Sequence, residues 1–193
     1  VGSEMCIRDS PYPIDTSYYD NEKHTQADAL SVIPFMDEMN YEGLSVSGLS
    51  DGYYGLTIGG EFIGRFTARE LERGINMALL QNTPQYKQAM KIRQMNEERW
   101  LKERKMREFY WVEYNLMRKT GMLWACNEAA VDTLRKYRPH DIFLQWNGAL
   151  WLQYMHKGIR EDCVNEQQDL VNQIYEQNKP IPLQIEIKKF TDL

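Results

Sequence analysis

Cysteine, long apolar runs and clusters of basic residues are all scarce in this 193-residue sequence. The three cysteines, Cys6, Cys126 and Cys163, lack Cys-x-x-Cys spacing, so they indicate neither a disulfide framework nor a zinc site. No uninterrupted apolar run approaches the roughly 18 residues that a membrane span requires. The net charge of −5 repels polyanions. We therefore expect no membrane span and no nucleic-acid partner.

Serine is absent after Ser50, and no serine lies in a Gly-x-Ser-x-Gly or Gly-Asp-Ser motif. A serine hydrolase needs a nucleophile, an imidazole base and a carboxylate that orients the imidazole. The nearest approach is Arg-Asp-Ser, which ends at Ser10, and none of the three histidines follows an aspartate by three residues. A pairing of Ser17 with His24 on a loose segment rarely gives catalytic geometry. We predict that the chain has no catalytic residue.

Metal and cofactor sites are also not indicated. His24 and Asp28 are four residues apart, but two ligands do not complete a metal site, and such a pair is usually solvent-facing. The adjacent Asp37 and Glu38 point in different directions on any regular element, which disfavours a carboxylate dyad. The glycine-rich stretch Ile58 to Gly64 lacks the Lys-Ser or Lys-Thr of a phosphate loop. We expect no metal and no cofactor.

The N-terminal region divides into two predicted parts. Residues 1–10 have no helical or strand period, and we interpret them as a non-native scar resembling a translated sequencing adapter, of the kind left by environmental reads. Native sequence then begins near Pro11, and residues 11–43 form a linker arm. Because the true start would be missing, the lack of a secretory signal leaves the cellular location open.

The fold class predicted by the remaining pattern is α+β, with a small antiparallel β-sheet first. Residues 44–66 alternate apolar and other side chains on both sides of Gly59-Gly60, a dipeptide typical of a two-residue hairpin turn. After the turn, Phe62, Gly64 and Phe66 are expected to alternate with the intervening residues. Residues 181–187 show the same period and predict a C-terminal strand that returns to the sheet.

Residues 67–193 are predicted to form a helical subdomain that includes this terminal strand. A capping box of Thr67 and Glu70 starts a short helix through about Leu80, and Thr83-Pro84 starts one long helix that reaches about Arg118. Three further helices are expected, at about 128–138, 141–156 and 159–178, the first of them capped by Asn127. All five tryptophans lie in this region and indicate a second, helical core.

Aromatic residues leave two interpretations open. Trp146, Leu150 and Tyr154, together with Trp111, could form a carbohydrate platform, whereas a buried helical core is the commoner explanation of such a stripe. An uncovered aromatic helix end could also bind a partner. The sequence does not decide which of these aromatic side chains are exposed.

The hairpin and the segment after it resemble the region that follows the catalytic domain in a group of SGNH/GDSL-type hydrolases. The motifs read V-x-G-L-x-x-G-x-Y-x-L-x-I-x-G, then G-x-N-x-A, then T-P-x-x-x-Q-A. The matching residues are Val46, Gly48, Leu49, Gly52, Tyr54, Leu56, Ile58, Gly60, Gly74, Asn76, Ala78, Thr83, Pro84, Gln88 and Ala89. The later stretches WVEYN, AAVDTLR and LVNQIYEQNKP resemble the helical tail of some of these proteins, so the resemblance extends over residues 11–193.

The resemblance implies an ester or acyl hydrolase whose catalytic serine, oxyanion-hole residues and histidine all precede this region. No position here matches them, so the chain is expected to be a C-terminal accessory portion, inactive alone, whose partner is a missing N-terminal catalytic domain; the parent could be secreted or periplasmic. The alternative is a non-catalytic module that binds a protein or a glycan. Removal of the catalytic domain would expose Ile33, Phe35, Met36 and Tyr41, which predicts modest stability and self-association.

Overall fold

The predicted α+β class is confirmed by the computed structural model, which describes residues 12–14 and 25–190. The chain forms two compact units, one of residues 1–93 with 177–193 and the other of residues 94–176. The division into residues 1–10, 11–43, 44–66 and 67–193 stays a prediction about domain organisation.

The first unit contains two small antiparallel sheets. A three-stranded sheet has the order β3-β2-β5, and a two-stranded sheet pairs β1 with β4. The strands are β1 (Gly43–Leu44), β2 (Tyr53–Ile58), β3 (Glu61–Thr67), β4 (Ile75–Asn76) and β5 (Ile185–Lys189). The predicted return of the C-terminal strand is confirmed, because β5 lies antiparallel to β2 with Leu56 opposite Ile187.

The β2–β3 hairpin turns at Gly59 and Gly60, as predicted. Their φ angles of 58° and 85° are in the left-handed region that glycine adopts without a Cβ penalty. The expected alternation after the turn is wrong at Phe62, because the register shifts between Leu56 and Thr57 and leaves Ile63 as an extra residue. Ile63 is buried in the sheet core, whereas Phe62 is exposed.

Asn76 connects the arm to the sheet of the first unit. Its side-chain amide donates to the carbonyl oxygens of Met36 (2.8 Å) and Asn40 (3.1 Å), and its side-chain oxygen accepts from the backbone amides of Glu42 and Ala78. All the hydrogen-bonding capacity of this side chain is therefore used to hold backbone segments together. Asn76 is the asparagine of the G-x-N-x-A motif.

Six α-helices occur in the described part of the chain. They are α1 (Phe35–Glu38), α2 (Ala68–Arg73), α3 (Pro84–Val112), α4 (Glu128–Tyr137), α5 (Ile142–Tyr154) and α6 (Lys157–Gln177). The capping box at Thr67 is present, with the Glu70 carboxylate accepting from the Thr67 backbone amide at 2.7 Å. The predicted extent of this short helix to Leu80 is wrong, since Gly74 at φ 93° ends it and β4 follows.

The long helix is confirmed. Thr83 accepts a hydrogen bond from the backbone amide of Tyr86 at the start of α3, and Pro84 occupies the first helical position. The α-helical hydrogen bonding changes at residue 113 to a π-helical turn, Glu113–Met117. The middle of α3 is largely exposed to solvent, with Trp100 44% exposed.

The core of the second unit is helical. Its buried side chains are Met106, Phe109, Val112, Leu116, Met117, Ala130, Leu134, Leu144, Trp151, Tyr154, Met155 and Cys163. Of the five tryptophans expected to mark this core, Trp151 is completely buried and Trp111 packs partly against it. Three tryptophans are substantially exposed, namely Trp100, Trp124 and Trp146. The prediction that all five mark the helical core is therefore wrong for these three.

Candidate functional site

Most of the catalytic and metal-ligand candidates considered in the sequence lie outside the residues that the structure describes. This applies to Ser10, Ser17 and His24, so the predicted absence of a triad stays a prediction. Asp28 accepts from the backbone amide of Thr25 at 2.6 Å and so caps a 3₁₀ turn. Asp37 and Glu38 are neighbours in the short helix α1. Within residues 12–14 and 25–190, no three potential ligands form a metal cluster.

A buried acidic residue, Glu113, is the first unusual feature of the second unit. Its side chain is almost completely enclosed. One carboxyl oxygen accepts from the indole nitrogen of Trp151 at 2.7 Å, and the other accepts from the backbone amide of Trp124 at 2.8 Å. Glu113 is also the first residue of the π-helical turn. A π-turn frequently marks a functional position, and here it places a carboxyl group between the indole of the buried Trp151 and the backbone amide of Trp124.

Trp124 adopts a strained backbone conformation above this carboxyl group. Its φ of 60° is the one positive value among the described non-glycine residues, and bulky residues rarely adopt it. The indole packs against Phe109, Tyr110 and Tyr114 with ring centroids 6.4, 6.0 and 5.9 Å away. The backbone amide of Trp124 donates to Glu113, and this hydrogen bond helps to stabilise the strained conformation. Trp124 is 44% exposed.

An open groove of about 370 Å³ lies beside Trp124. It is lined by Tyr110, Trp124, Lys157, Arg160, Glu161, Val164 and Asn165. The Arg160 guanidinium donates to the carbonyl oxygens of Tyr154 and Met155, both at 2.7 Å, and lies 4.9 Å from the Phe109 ring centroid. The groove therefore combines an aromatic wall with a guanidinium whose position is fixed by the end of α5.

A thiol and an imidazole meet in the same unit. The Sγ of Cys126 lies 3.2 Å from Nδ1 of His156, and both side chains are exposed. Sequence analysis did not pair these residues, because they are 30 positions apart and share no short motif. Glu113 was also missed, although one acidic residue inside the aromatic stretch FYWVEYNLM was the available signal.

The charged residues of the second unit are organised by local pairs. Lys102 donates to Glu166 at 2.7 Å and lies 3.9 Å from Glu98. The hydrogen bond to Glu166 raises the pKa of Lys102, and the same bond lowers the pKa of Glu166. Burial raises the pKa of Tyr154, with the neighbouring Cys163 adding to the shift. The Lys102–Glu166 pair joins α3 to α6.

The candidate carbohydrate stripe does not form one surface. Tyr154 is buried and Leu150 packs partly against the core, as the core interpretation predicted. Trp146 is 66% exposed and contacts Phe143, whose ring centroid lies 5.3 Å from that of Trp111. The structure thus places Trp111, Phe143 and Trp146 together on the surface of the second unit.

The second unit is similar to part of a deacetylase. Residues 90–179 match the family model described as the diltiazem deacetylase C-terminal helical domain. A solved structure described as BT4096, a gut microbial diltiazem-metabolizing enzyme, is similar to 94% of the chain, with a TM-score of 0.85 and 37% sequence identity. The chain spans 41% of the length of that solved chain. A search of curated proteins found no match.

These comparisons relate the chain to an accessory part of an esterase-type protein. The matched model describes a C-terminal helical domain, and its residues include the whole second unit. The similarity to the solved enzyme also includes most of the first unit. No helix among the described residues is long and apolar enough to cross a membrane.

Proposed function

We propose that this chain is the C-terminal accessory portion of an SGNH/GDSL-type ester hydrolase and packs beside a catalytic domain. The similarity to 41% of a diltiazem-metabolizing enzyme, over 94% of this chain, is the observation that carries the proposal. The hairpin and helix-start motifs support the SGNH/GDSL assignment. The descriptions of the matched model and of the solved neighbour support an acetylated substrate, and diltiazem is the compound proposed for the test.

Apolar side chains of the arm support a docking role in the first unit. Val32, Ile33, Met39 and Tyr41 are between 51% and 81% exposed. Several exposed apolar side chains on one short segment are typical of a protein interface. The catalytic domain is the proposed partner, because the solved neighbour has more than half of its length outside the region similar to this chain.

Ester hydrolysis by two proteins tests the proposal. The purified chain should release no acetate from diltiazem or from 4-nitrophenyl acetate above the buffer rate, because its sequence contains neither the Gly-Asp-Ser motif nor a histidine three residues after an aspartate. The longer reading frame, cloned through its upstream sequence, should hydrolyse both esters. Turnover by the isolated chain would contradict the accessory role. An upstream frame without Gly-Asp-Ser and Asp-x-x-His would contradict the SGNH/GDSL assignment.

A glycan-binding module is a second candidate because of the exposed ring of Trp146. Sugars stack on exposed aromatic faces, and Trp146 and Phe143 are both exposed, with their rings edge to face and their centroids 5.6 Å apart. Affinity electrophoresis against soluble polysaccharides, with Trp146→Ala as the variant and Trp100→Ala as the matched exposed control, would detect this function. Retardation lost only in Trp146→Ala would favour the module.

A further inference from the structure

The contact between Cys126 and His156 joins a nucleophile to a base. The Sγ to Nδ1 distance of 3.2 Å allows the imidazole to accept the thiol proton. Both side chains are exposed, so a reagent can reach the sulfur from solvent. Cys163 differs in both respects, since it is buried and its sulfur approaches the backbone carbonyl of Lys102 at 3.8 Å.

Cys126 also lies at the start of a helix. Cys126 directly precedes Asn127, whose side chain caps the ten-residue helix α4 by accepting from the amide of Ala130 at 3.0 Å. The start of a helix carries partial positive charge from its unpaired amides. Cysteines at helix starts and beside an imidazole are characteristically the reactive ones.

The groove beside Trp124 gives this thiol a neighbouring binding surface. Trp124 lies two residues before Cys126 in the chain, and Lys157 directly follows His156; both line the groove. Its aromatic wall is formed by Trp124 and Tyr110. Cys126 and His156 are close in the chain to these groove-lining residues and are not themselves part of the lining. The faces of Trp124 and Tyr110 can stack with an aromatic ring carried by the electrophile.

We propose that Cys126 and His156 form a thiol-modification site for soft carbon electrophiles that carry an aromatic ring. In the reaction, the sulfur lone pair attacks the electrophilic carbon, a C–S bond forms, and the carbon–leaving-group bond breaks with its electron pair going to the leaving group. The thiol proton passes to Nδ1 of His156 and from there to water. No oxidant or metal is required. This site is independent of the proposed accessory role.

Alkylation kinetics test the role of the imidazole. The protein is studied as the full chain carrying Cys6→Ser, and alkylation of Cys126 by iodoacetamide is followed by peptide mass spectrometry. His156→Gln should slow the reaction about tenfold, because glutamine cannot take the proton. His140→Gln, which removes another exposed histidine, should change the rate less than about twofold. Equal rates in the two variants would overturn the assignment of His156.

Two measurements keep this test decisive. Circular dichroism shows whether His156→Gln is folded, and His156→Asn replaces it if it is not. In the folded protein, Cys126 should react at least about tenfold faster than the buried Cys163 and also faster than N-acetylcysteine. A Cys126 rate no higher than that of N-acetylcysteine would overturn the proposal of an activated thiol.

A second pair of reagents tests the aromatic part of the proposal. N-benzyl-iodoacetamide and iodoacetamide react by the same chemistry and differ by the ring. Relative to N-acetylcysteine, Cys126 should prefer the benzyl reagent by about threefold, and Trp124→Gly should abolish that preference. Glycine tolerates the φ of 60° and keeps the backbone amide that donates to Glu113. The absence of a preference in the parent protein would overturn the aromatic selectivity.

Discussion

At the scale of single residues, Glu113 shows how a buried carboxyl group is accommodated among aromatic side chains. Both of its oxygens accept hydrogen bonds, from the indole of Trp151 and the backbone of Trp124. A buried carboxyl group without partners would cost several kcal/mol, so these two bonds are what make the position tolerable. The arrangement also explains why Trp124 can keep a backbone conformation that is otherwise unfavourable for a bulky residue.

Replacement of this carboxyl group should be strongly destabilising. Glu113→Ala leaves the buried indole N–H of Trp151 and the backbone amide of Trp124 without their acceptor and creates a cavity, and we expect the free energy of unfolding to fall by about 3 kcal/mol. Glu97→Ala, an exposed glutamate on α3, is the matched control and should change the value by less than about 0.5 kcal/mol. Urea denaturation followed by tryptophan fluorescence measures both variants. Equal losses in the two would show that the Glu113 hydrogen bonds contribute little.

Most of these residue-level features could not be predicted from the sequence, because they depend on tertiary contacts. The position of Glu113 within an aromatic stretch was a detectable anomaly, but its partners Trp124 and Trp151 lie 11 and 38 residues away. Positive φ at Trp124 contradicts the preference of the residue type, so no local pattern indicates it. The Cys126 and His156 pair likewise forms only after the helices have packed.

At the scale of secondary-structure elements, the predictions succeeded where local chemistry determines the result. The Gly59-Gly60 turn, the Thr67 capping box and the Asn127 cap are all decided by residues within three or four positions of one another. The bulge at Ile63 and the short strand β4 were missed, because pairing with distant segments produces them. The two residues of β4 show no strand pattern in the sequence. The sequence was instead predicted to continue the helix after Gly74.

The capping box makes a testable contribution to pH-dependent stability. Hydrogen bonds from the backbone amide and the hydroxyl of Thr67 lower the pKa of Glu70 in the folded chain. A lowered folded pKa means that the stabilisation is present above the unfolded value of about 4.3 and is lost as the pH falls through the folded value. Glu70→Gln should therefore be less stable than the parent at pH 7 and should approach the parent below about pH 4.

Thermal unfolding at several pH values measures this difference. Glu72→Gln, on the exposed side of the same helix and outside the capping box, is the control for the loss of one charge. The midpoint of Glu70→Gln should fall below that of Glu72→Gln at pH 7. A Glu70→Gln midpoint that differs from the parent by the same amount at every pH would show that ionisation of Glu70 does not contribute.

At the scale of the whole molecule, the first unit exposes apolar side chains on its arm. The sequence predicted this surface from Ile33, Phe35, Met36 and Tyr41. In the structure Ile33 and Tyr41 are exposed, whereas Phe35 and Met36 are partly covered. Tyr12 contributes to that cover, since its ring centroid lies 5.8 Å from that of Phe35. Sequence periodicity could not resolve this distinction on a segment with little regular structure.

Self-association of the isolated chain is the consequence expected of this surface. Val32 and Met39 are the most exposed apolar residues of the arm, at 81% and 75%, and burying them against a second copy removes apolar area from water. The sedimentation coefficient should therefore rise with protein concentration. Val32→Lys combined with Met39→Lys should abolish the rise, whereas Tyr175→Lys, at an equally exposed position on α6, should not.

If the arm instead docks on a catalytic domain, the longer protein should sediment as a monomer under the same conditions, because the surface is already covered. A parent chain that stays monomeric at every soluble concentration would contradict the prediction.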